Sequence, residues 1–346
     1  RVLVTGHTGF KGSWLCKWLE ILGAKVVGYA LRPFTTPNHF DLSHLKLMSH
    51  FEDVRDYKKI QKIFSEFEPE IVFHLAAQPC VLASYDNPLQ TFSSNIMGSV
   101  NILEASRHTN SVKAVIMVTT DKVYKNNEWI YGYRETDTIG GHDPYSSSKA
   151  CMELVTESYR KSYSESSNNE LLIASARAGN VIGGGDWAEN RIVPDCIKSW
   201  TKLKPAKIRN PESTRPWQHV LEPIFGYILF IYYLSKNRKF NGEILNFGPD
   251  SKNNYSVIKL INNIGKIWPY NKVRINKMKF KLYESKLLNI SSLKAKKLIG
   301  WRPILNFTET ANFISDWYYN FYFNKKINIY DFSLNQIDQY LKKWNR

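Results

Sequence analysis

The stretch TGHTGFKGSWL, residues 5–15, follows the apolar run Val2-Leu3-Val4 and decides the fold of this chain. Its glycines, at positions 6, 9 and 12, have a spacing typical of a buried strand that turns sharply into a helix. That turn leaves unpaired backbone N–H groups and the positive end of the helix directed at one point, where a pyrophosphate can lie without meeting a Cβ. The motif predicts a dinucleotide site, and a glycine-rich turn without a ligand is the alternative interpretation.

The first half of the chain alternates apolar, strand-like runs with helical patterns. The predicted strands are residues 2–4, 26–29, 71–75, 114–118 and 172–176. The predicted helices are residues 13–22, 57–66, 88–108 and 146–164. Strands that alternate with helices are joined by right-handed crossovers into a parallel sheet. We therefore predict an α/β fold, a doubly wound parallel sheet of the Rossmann type, with a smaller C-terminal α/β domain that binds the substrate.

The domain boundaries follow from a change of pattern after Arg177, where loops rich in glycine and tryptophan begin. We assign residues 1–177 to the dinucleotide-binding domain, with a return segment at 217–248 that starts with a helix over 217–234. The substrate domain then comprises 178–216 and 249–346, with helices at 193–203, 257–267 and 293–299. Because ligands of open α/β sheets bind beyond the carboxyl ends of the strands, we expect the smaller domain to lie over that edge.

Composition and charge limit the class of protein. The chain has 346 residues, of which 43% are hydrophobic and 14% aromatic, a globular composition. The four cysteines have no CxxC or CxxH spacing, so we predict no disulfide framework, no metal site and a reducing compartment. The net charge of +16 suggests nucleic acid, but the lysines are dispersed through the last third among Asn, Ile and Tyr. We predict no nucleic-acid partner, and expect the positive field to attract a small anionic substrate.

The sequence also bears on location. No charged and then apolar leader precedes Val2, and the longest apolar run, at 226–234, is far too short to cross a bilayer. We therefore expect a soluble, cytoplasmic protein without a membrane partner. Because the first strand begins at residue 2, we also expect a few residues, including the initiator Met, to precede the numbered chain.

The second strand leaves the choice of cofactor open. An acidic residue about 20 residues after the glycines usually binds the adenosine ribose hydroxyls, but Ala30 stands where that acid is expected. Arg32 either pairs with a 2′-phosphate, which would favour NADP, or is a solvated loop residue. Asp53 and Val54 follow a further segment toward the binding edge, where an Asp can accept a hydrogen bond from the adenine amino group.

Tyr145 and Lys149 are the first candidate catalytic pair. The motif PYSSSK opens a helix, so these two side chains, four residues apart, project from one face. An ammonium about 4 Å from a phenol, at an effective dielectric constant of ~20, favours the phenolate by up to about 4 kcal/mol. That would lower the tyrosine pKa and make Tyr145 a base for an alcohol proton. The spacing alone is common on ordinary helices, and its position after four strands and a glycine turn makes it informative.

Thr120, Asp121 and Lys122 form the second candidate cluster, directly after the strand AVIMV. Thr120 could hydrogen-bond the reacting hydroxyl at the same sheet edge. A simple oxidoreductase needs only that hydroxyl, the tyrosine and the lysine, so the added acid and amine indicate a further proton-transfer step. The alternative is that Asp121 caps a turn and Lys122 points to water.

With these motifs, the sequence resembles the extended short-chain dehydrogenases/reductases, the NAD-dependent epimerase/dehydratase superfamily, and among them the CDP-glucose 4,6-dehydratase family. The resemblance covers nearly the whole chain. It is carried by GHTGFKGSWL, LAAQP (75–79), YDNPLQTFSSNIMG (85–98), TTDKVY (119–124), GYRETD (132–137), DPYSSSK (143–149), ARAGNVIGGGDW (176–187), RIVPD (191–195), RPWQHV (215–220) and NFGP (246–249). Related dTDP-glucose dehydratases have Asp-Glu at the position of Asp121-Lys122, and the lysine is similar to the CDP-glucose branch.

The resemblance implies roles for particular residues. For the cofactor, NAD with NADP as the alternative, it implies contacts from Gly6, Thr8, Gly9, Phe10, Gly12, Asp53, Val54, Leu75, Ala76, Ala77, Asn95, Tyr145 and Lys149, in addition to the open question of Arg32. For a nucleotide sugar it implies Gln78, Asn180, Arg191, Arg215 and His219, since arginine suits bidentate phosphate contacts. His219 is nearly as well explained as a buried structural residue.

The implied reaction is an internal redox cycle. Tyr145, with Lys149 and Thr120, would deprotonate the glucose 4-hydroxyl as hydride passes from C4 to the nicotinamide, water would leave across C5 and C6, and hydride would return to C6. Asp121 would protonate the departing 6-hydroxyl, and either Lys122 or a water that it orients would take the C5 proton. The rivals are a nucleotide-sugar epimerase, another 4,6-dehydratase, or a catalytically inactive cofactor sensor. The product would enter deoxysugar and polysaccharide biosynthesis, by family analogy alone.

The family also implies assembly. The long helices predicted at 88–108 and 146–164 resemble the four-helix seam through which family members pair. We therefore expect a homodimer or a homotetramer, although these helices could instead cover the substrate domain.

Overall fold

A computed structural model describes residues 1–165, 170–250, 254–275 and 287–346. The predicted substrate domain, 178–216 and 249–346, includes positions 251–253 and 276–286, which lie outside the described residues. Within the described ranges, no helix is both long and apolar enough to cross a membrane.

A seven-stranded parallel sheet forms the centre of the part of the chain that the structure describes. Its order is β11-β6-β5-β4-β1-β2-β3, so the strand order reverses between β1 and β4. The strands of the described residues are β1 Val2–Thr5, β2 Val26–Ala30, β3 Met48–Phe51, β4 Ile71–His74, β5 Ala114–Thr119, β6 Leu172–Ala178, β7 Val181–Ile182, β8 Ala206–Ile208, β9 Thr214–Arg215, β10 Gln218–His219, β11 Ile244–Phe247, β12 Tyr255–Ser256 and β13 Val273–Ile275. Strands β1 to β6 and β11 belong to the seven-stranded sheet, and the others form two-stranded pairs. The predicted doubly wound α/β sheet is confirmed, and its switch point places a ligand crevice above β1 and β4.

Helices cover both faces of the sheet. The helices of the described residues are α1 Phe10–Ile21, α2 His39–Leu42, α3 Tyr57–Phe67, α4 Val81–Asp86, α5 Pro88–Phe92, α6 Gly98–Arg107, α7 Pro144–Tyr159, α8 Ile192–Trp200, α9 Leu221–Lys236, α10 Val257–Ile264, α11 Leu293–Ile299, α12 Phe307–Phe323 and α13 Ile329–Trp344. One face packs on α1 and α9 through Trp14, Trp18 and Ile224, and the other on α3, α6 and α7 through Phe64, Leu103 and Met152. The sheet is therefore buried on both sides, as its continuous apolar runs require.

Two long helices were predicted only in part. Residues 88–107 form one continuous helical segment, in which a π-helical stretch, Ser93–Met97, separates α5 from α6. A second π-helical segment, Arg160–Glu165, ends α7. Segments of this kind often lie at functional sites, and the first one carries Asn95, which is fully buried.

Strand β3, the start of α9, and helices α12 and α13 differ from the prediction. Strand β3 was missed, because this edge strand has only partly buried side chains and lacks an apolar run. The predicted helix over 217–234 was wrong at its start: residues 218–219 form β10, and α9 begins at Leu221. The last two helices, α12 and α13, were also missed. Their buried Trp317 and Tyr340 belong to the core shared with α1 and α9, and the ring of Tyr340 packs edge-on against Trp18 at 5.7 Å between centroids.

Candidate active site

The glycine turn lies at the carboxyl end of β1. Gly6 has a φ of +72°, and a Cβ there would lie 2.7 Å from the backbone nitrogen of Ala76. A Cβ on Gly12 would lie 2.1 Å from the Gly6 carbonyl oxygen, so the turn closes only without side chains at these positions. Helix α1 then starts at Phe10 with Gly9 as its N-cap and no capping side chain among the described residues. Its first N–H groups consequently face the crevice without an intrahelical acceptor.

Hydrogen bonds join the ends of β1 and β4 beneath this turn. The Thr5 hydroxyl and His74 Nδ1 are 2.7 Å apart, and His74 Nε2 is 3.1 Å from the Ser99 hydroxyl. The backbone N–H groups of Leu75 and Ala76 both donate to Thr5 Oγ1, each at 3.2 Å. The segment Leu75-Ala76-Ala77 therefore lies directly beside the glycine turn. Thr8 is in the same crevice, and its hydroxyl donates to the Leu31 carbonyl at 2.8 Å.

The neighbouring loop after β4 is fixed by Asn95. Its Oδ1 accepts from the Gln78 backbone N–H at 2.8 Å, and its Nδ2 donates to the Ser148 hydroxyl at 2.8 Å. The Gln78 side chain in turn donates to the Thr91 hydroxyl and the Cys80 carbonyl. Both amides thus shape the loop that borders the site, and their ligand contacts stay predictions.

The expected adenosine end lies after β2 and β3. The Asp53 carboxylate is held by Arg55 in an ion pair of 2.6 Å, which lowers the pKa of Asp53. Asn101 donates to the Val54 carbonyl at 2.9 Å. The guanidinium carbon of Arg32 lies 4.5 Å from the centre of the Phe51 ring. The roles assigned to Asp53, Val54 and Arg32 are not tested by these contacts.

Tyr145 and Lys149 lie in the first two turns of α7. Asp143 caps this helix by accepting from the Ser146 N–H at 2.9 Å, and Pro144 occupies its first turn, so the helix begins at the predicted motif. Both side chains are buried. Lys149 Nζ donates to the Val118 carbonyl at 3.1 Å and contacts Met152 Sδ at 3.3 Å. The lysine is thereby held against the end of β5.

The expected direction of the Tyr145 pKa was wrong for the protein alone. Burial raises the pKa of Tyr145 to about 12, with Asp121 and Asp143 adding to the rise, while a hydrogen bond with Thr120 and the charge of Arg191 oppose it. Burial and the nearby Lys11 lower the pKa of Lys149 to about 7, against a raising effect of Glu153. Desolvation of the phenol therefore outweighs attraction by the ammonium, which hydrogen-bonds elsewhere.

The cluster predicted after β5 comes together as a hydrogen-bonded unit. Thr120 donates to Asp121 Oδ1 at 2.9 Å, and Asn180 Nδ2 donates to Asp121 Oδ2 at 3.0 Å. A Cβ on Gly179 would lie 1.9 Å from the Asp121 carboxyl carbon, so this glycine leaves the space that the acid occupies. Asp121 is buried and Lys122, on the same 3-10 turn, is half-buried. The structure therefore joins Asn180, predicted as a phosphate contact, to the cluster predicted to be catalytic.

Positive charge lines the opposite wall. Arg191 forms an ion pair of 2.7 Å with Asp186, and its positive charge opposes the rise of the Tyr145 pKa. Lys11, in the glycine turn, was missed by the sequence analysis. Burial, with repulsion from Arg191, lowers the pKa of Lys11 to about 8, and Asp121 opposes that shift. Its position between Gly9 and Gly12 of the predicted dinucleotide turn is the sequence feature that could have identified Lys11.

Arg215 and His219 differ in their placement. Arg215 is buried on β9 and donates to the Thr214 carbonyl at 2.7 Å. His219 is fully buried, accepts from the Leu221 N–H at 3.3 Å, and packs edge-on against Phe313 at 5.4 Å between ring centroids. Burial lowers the pKa of His219 to about 3, so it is neutral. These contacts favour the structural interpretation of this histidine.

A buried ion pair behind the site was also missed. Glu153 accepts from Arg177 Nε at 2.9 Å and from the Thr119 hydroxyl at 2.5 Å. Both charged side chains are almost completely buried. Their signal in the sequence was the spacing, since Glu153 follows Lys149 by four residues, as Lys149 follows Tyr145.

Fold and site together define a dinucleotide-binding enzyme of the short-chain dehydrogenase/reductase class. The model of the GDP-mannose 4,6-dehydratase family matches residues 3–313, and the chain belongs to that family. It is 44% identical over 324 residues to the CDP-glucose 4,6-dehydratase of Salmonella typhimurium, covering 92% of this chain and 90% of the relative. The resemblance seen in the motifs is confirmed, and the chain is an enzyme of the dehydratase class, a lyase.

More distant relatives include epimerases. The UDP-glucose 4-epimerase of Mycoplasma genitalium is 23% identical, with 93% of this chain and 97% of that protein covered. Among solved structures, the UDP-glucose 4-epimerase of Thermus thermophilus in complex with NAD has a TM-score of 0.79 and 24% identity, covering 92% and 98% of the two chains. This structure shows the shared fold, and the higher identity to a dehydratase separates this chain from the epimerases.

Proposed function

We propose that this enzyme converts CDP-glucose to CDP-4-keto-6-deoxy-glucose and water with a bound NAD. The observation that carries the proposal is the cluster of Thr120, Asp121 and Tyr145 at one sheet edge, joined by hydrogen bonds. It supplies an acid beyond what an alcohol dehydrogenase needs. The similarity to the Salmonella enzyme supports the nucleotide and the sugar.

The cofactor is proposed from the fit of the glycine turn. The uncapped start of α1 and the glycines that close over Ala76 leave room for a pyrophosphate at the switch point. Gly6, Gly9, Phe10 and Gly12 would hold it, and Lys149 would bind near the reactive end. We prefer NAD to NADP because Arg32 is already stacked on Phe51, and because the Thermus relative was solved with NAD.

The first proton transfer belongs to Tyr145. Its phenol has a pKa of about 12 in the protein alone, so it needs added positive charge to act as a base near neutral pH. Bound NAD would supply the hydride acceptor for C4, the donor for C6, and added positive charge. Tyr145 then takes the proton of the sugar 4-hydroxyl while Thr120 hydrogen-bonds the same oxygen. Lys149, as an ammonium, stabilises the Tyr145 phenolate that acts as this base, and the phenolate becomes a neutral phenol when it takes the proton.

The elimination uses the turn after β5. Asp121 donates a proton to the departing 6-hydroxyl, and its carboxyl is kept in place by Thr120 and Asn180. Lys122, the next residue, either takes the C5 proton itself, as a neutral amine, or holds the water that takes it, and a proton returns to C5 by the same route when hydride is added at C6. The C5 proton is acidic at that stage because C4 is a ketone. The dry position of Asp121 favours transfer to the sugar over exchange with solvent.

Charge supports an anionic substrate on the opposite side of the crevice. Arg191 and Arg215 would bind the nucleoside diphosphate, and the residues of 178–216 and 249–346 would form the substrate domain that carries them. Arg191 keeps its guanidinium oriented through Asp186. That fixed orientation suits bidentate contact with phosphate.

The test is a panel of nucleotide sugars. The purified protein is incubated with CDP-glucose, with catalytic NAD or none added, and the 4-keto-6-deoxy sugar is detected by its alkaline absorbance and by loss of one water in the mass spectrum. With deuterium at C4, we expect the label at C6 of the product, which an epimerase would not give. Turnover of the dTDP or GDP sugar but not of CDP-glucose would overturn the assigned substrate.

Assembly is proposed from exposed apolar side chains. Leu89, Met97 and Leu154 lie on α5, its π-helical extension and α7, and are 86%, 50% and 59% exposed. Three such side chains on neighbouring helices support a helical seam between two copies of the chain. We propose a homodimer, or a homotetramer built from it. Free thiols at all four cysteines support a cytoplasmic location.

A further inference from the structure

Helix α7 carries a third functional side chain in line with Tyr145 and Lys149. Glu153 lies four residues beyond Lys149, so the three side chains occupy one helix face at successive turns. Tyr145 lies nearest the proposed sugar site, and Glu153 lies two turns further along, where it is only 4% exposed. A carboxylate at that depth is costly to bury unless other groups compensate for its charge.

The Glu153 carboxylate is held in a single position. Its Oε1 accepts both the Thr119 hydroxyl, at the end of β5, and Arg177 Nε on β6. Arg177 is fixed in turn by donating to the Tyr124 hydroxyl at 2.8 Å. The second oxygen, Oε2, is buried and accepts no hydrogen bond from the residues that the structure describes. One oxygen of the Glu153 carboxylate therefore lies near the site without a hydrogen-bond donor among the described residues.

Lys149 has no charged hydrogen-bond partner of its own within the described ranges. Its ammonium contacts the neutral Val118 carbonyl and Met152 sulfur. The charged and titratable groups in and directly behind the site are Lys11 of α1, His74 of β4, Asp121 and Lys122 of the turn after β5, Asp143 at the start of α7, Tyr145 and Glu153 of α7, Arg177 of β6, and Arg191 before α8.

Most of these neighbours do not stabilise the charged form of Lys149. Lys11 repels it, and the pKa of His74 is lowered to about 3 by burial and by Lys149, so His74 is neutral. Tyr145 is also neutral, because its pKa is raised to about 12. Glu153 is the acid that acts on Lys149 and raises its pKa, which still reaches only about 7. Because this pKa lies near neutral pH, the charged and neutral forms of Lys149 are present in comparable amounts at about pH 7.

We propose that Glu153 is a positioning residue that keeps Lys149 in its cationic form, with Arg177 and Thr119 holding the carboxylate in place. It touches neither sugar nor cofactor and acts through Lys149. The proposal deepens the proposed function and rests on it, because Lys149 must be charged to stabilise the Tyr145 phenolate and to bind the dinucleotide.

The decisive variant is Glu153→Gln. The amide keeps an oxygen for the Thr119 and Arg177 hydrogen bonds and removes only the charge. A unit charge about 6 Å away, one helical turn along, changes a pKa by about two units at a dielectric constant of ~20. We therefore expect the alkaline limb of kcat/KM, and that of dinucleotide affinity by fluorescence titration, to move about two pH units lower. The affinity readout needs no sugar, so it remains informative even if CDP-glucose is not turned over.

The matched control is Glu157→Gln. Glu157 lies one turn further along α7 and pairs with Arg160 and Lys161 at the surface, so its loss should leave both limbs in place. Glu153→Asp keeps the charge and should restore the alkaline limbs to within about a third of a unit. Unchanged limbs in a folded Glu153→Gln variant would overturn the proposal, as would equal shifts in Glu153→Asp.

A second variant covers the case in which Glu153→Gln does not fold. Arginine stays charged without help from a carboxylate, so Lys149→Arg should lose the alkaline limb of dinucleotide binding altogether. Persistence of that limb would show that the charge of residue 149 does not set it, and the proposed role of Glu153 would fall.

Discussion

Glu222 should make the stability of this protein fall as pH rises from about 4.5 to about 7. This carboxyl is 1% exposed at the start of α9. Its Oε1 accepts from the backbone N–H groups of Ile304 at 2.8 Å and Leu305 at 2.7 Å, and the Tyr340 hydroxyl donates to Oε2 at 2.6 Å. Burial nevertheless dominates and raises the pKa of Glu222 from 4.5 to about 7.

The sign and size follow from linkage. Between pH 4.5 and 7 the folded protein keeps a proton on Glu222 that the unfolded chain has lost, so the free energy of unfolding decreases as pH rises. The stabilising contribution is complete below pH 4.5 and is lost by the time pH passes the folded pKa of about 7. At about 1.36 kcal/mol per pH unit, this gap corresponds to about 3 kcal/mol.

Glu222→Gln isolates this effect. Its amide oxygen can accept both backbone N–H groups, its NH₂ can donate to the Tyr340 hydroxyl, and it does not titrate. Urea unfolding is followed by tryptophan fluorescence from about pH 4.5 to 8 for both proteins, with refolding as the check of reversibility. Relative to the unaltered protein, we expect the variant to gain about 3 kcal/mol across this range. Other titrating groups cancel in the difference.

Two controls accompany the measurement. Glu66→Gln removes an exposed carboxyl whose distance to Lys62 is 3.8 Å, and should give a flat difference. Glu222→Ala should be about 2–4 kcal/mol less stable than Glu222→Gln at every pH, because it leaves two N–H groups and a hydroxyl without acceptors. A difference between Glu222→Gln and the unaltered protein that stays within about 0.5 kcal/mol over the whole pH range would refute the reasoning.

Two further predictions concern the site and the assembly. Tyr145→Phe should lower kcat by about 10²–10⁴-fold while dinucleotide affinity stays close to normal. The control is Tyr159→Phe, also on α7, which removes a hydroxyl that donates to Glu104 of α6. Near-normal turnover by Tyr145→Phe would exclude Tyr145 as the base. Light scattering should give at least twice the 40.2 kDa of one chain, and Leu154→Lys should shift the protein toward monomer; a monomeric unaltered protein would contradict the proposed seam.

The sequence by itself determined the features that depend on residues close together in the chain. The glycine turn at 5–15 is readable because only glycine fits where a Cβ would lie 2.1 Å from a backbone oxygen. The pair of Tyr145 and Lys149 is readable because four residues make one helical turn. The alternation of apolar runs and helices identified the parallel sheet, and ten motifs along the chain identified the family.

Only the tertiary structure decided how these groups act on one another. Asn180 reaches Asp121 from 59 positions away, and Arg177 reaches Glu153 from 24, because β5, β6 and α7 meet at one edge. Lys11 joins the site only when α1 packs beneath the loop that carries Arg191. The pKa of Tyr145 is set by how much water the folded chain excludes, and the spacing of residues does not encode that quantity. Desolvation and long-range contacts arise from packing, so they could not be predicted from local patterns.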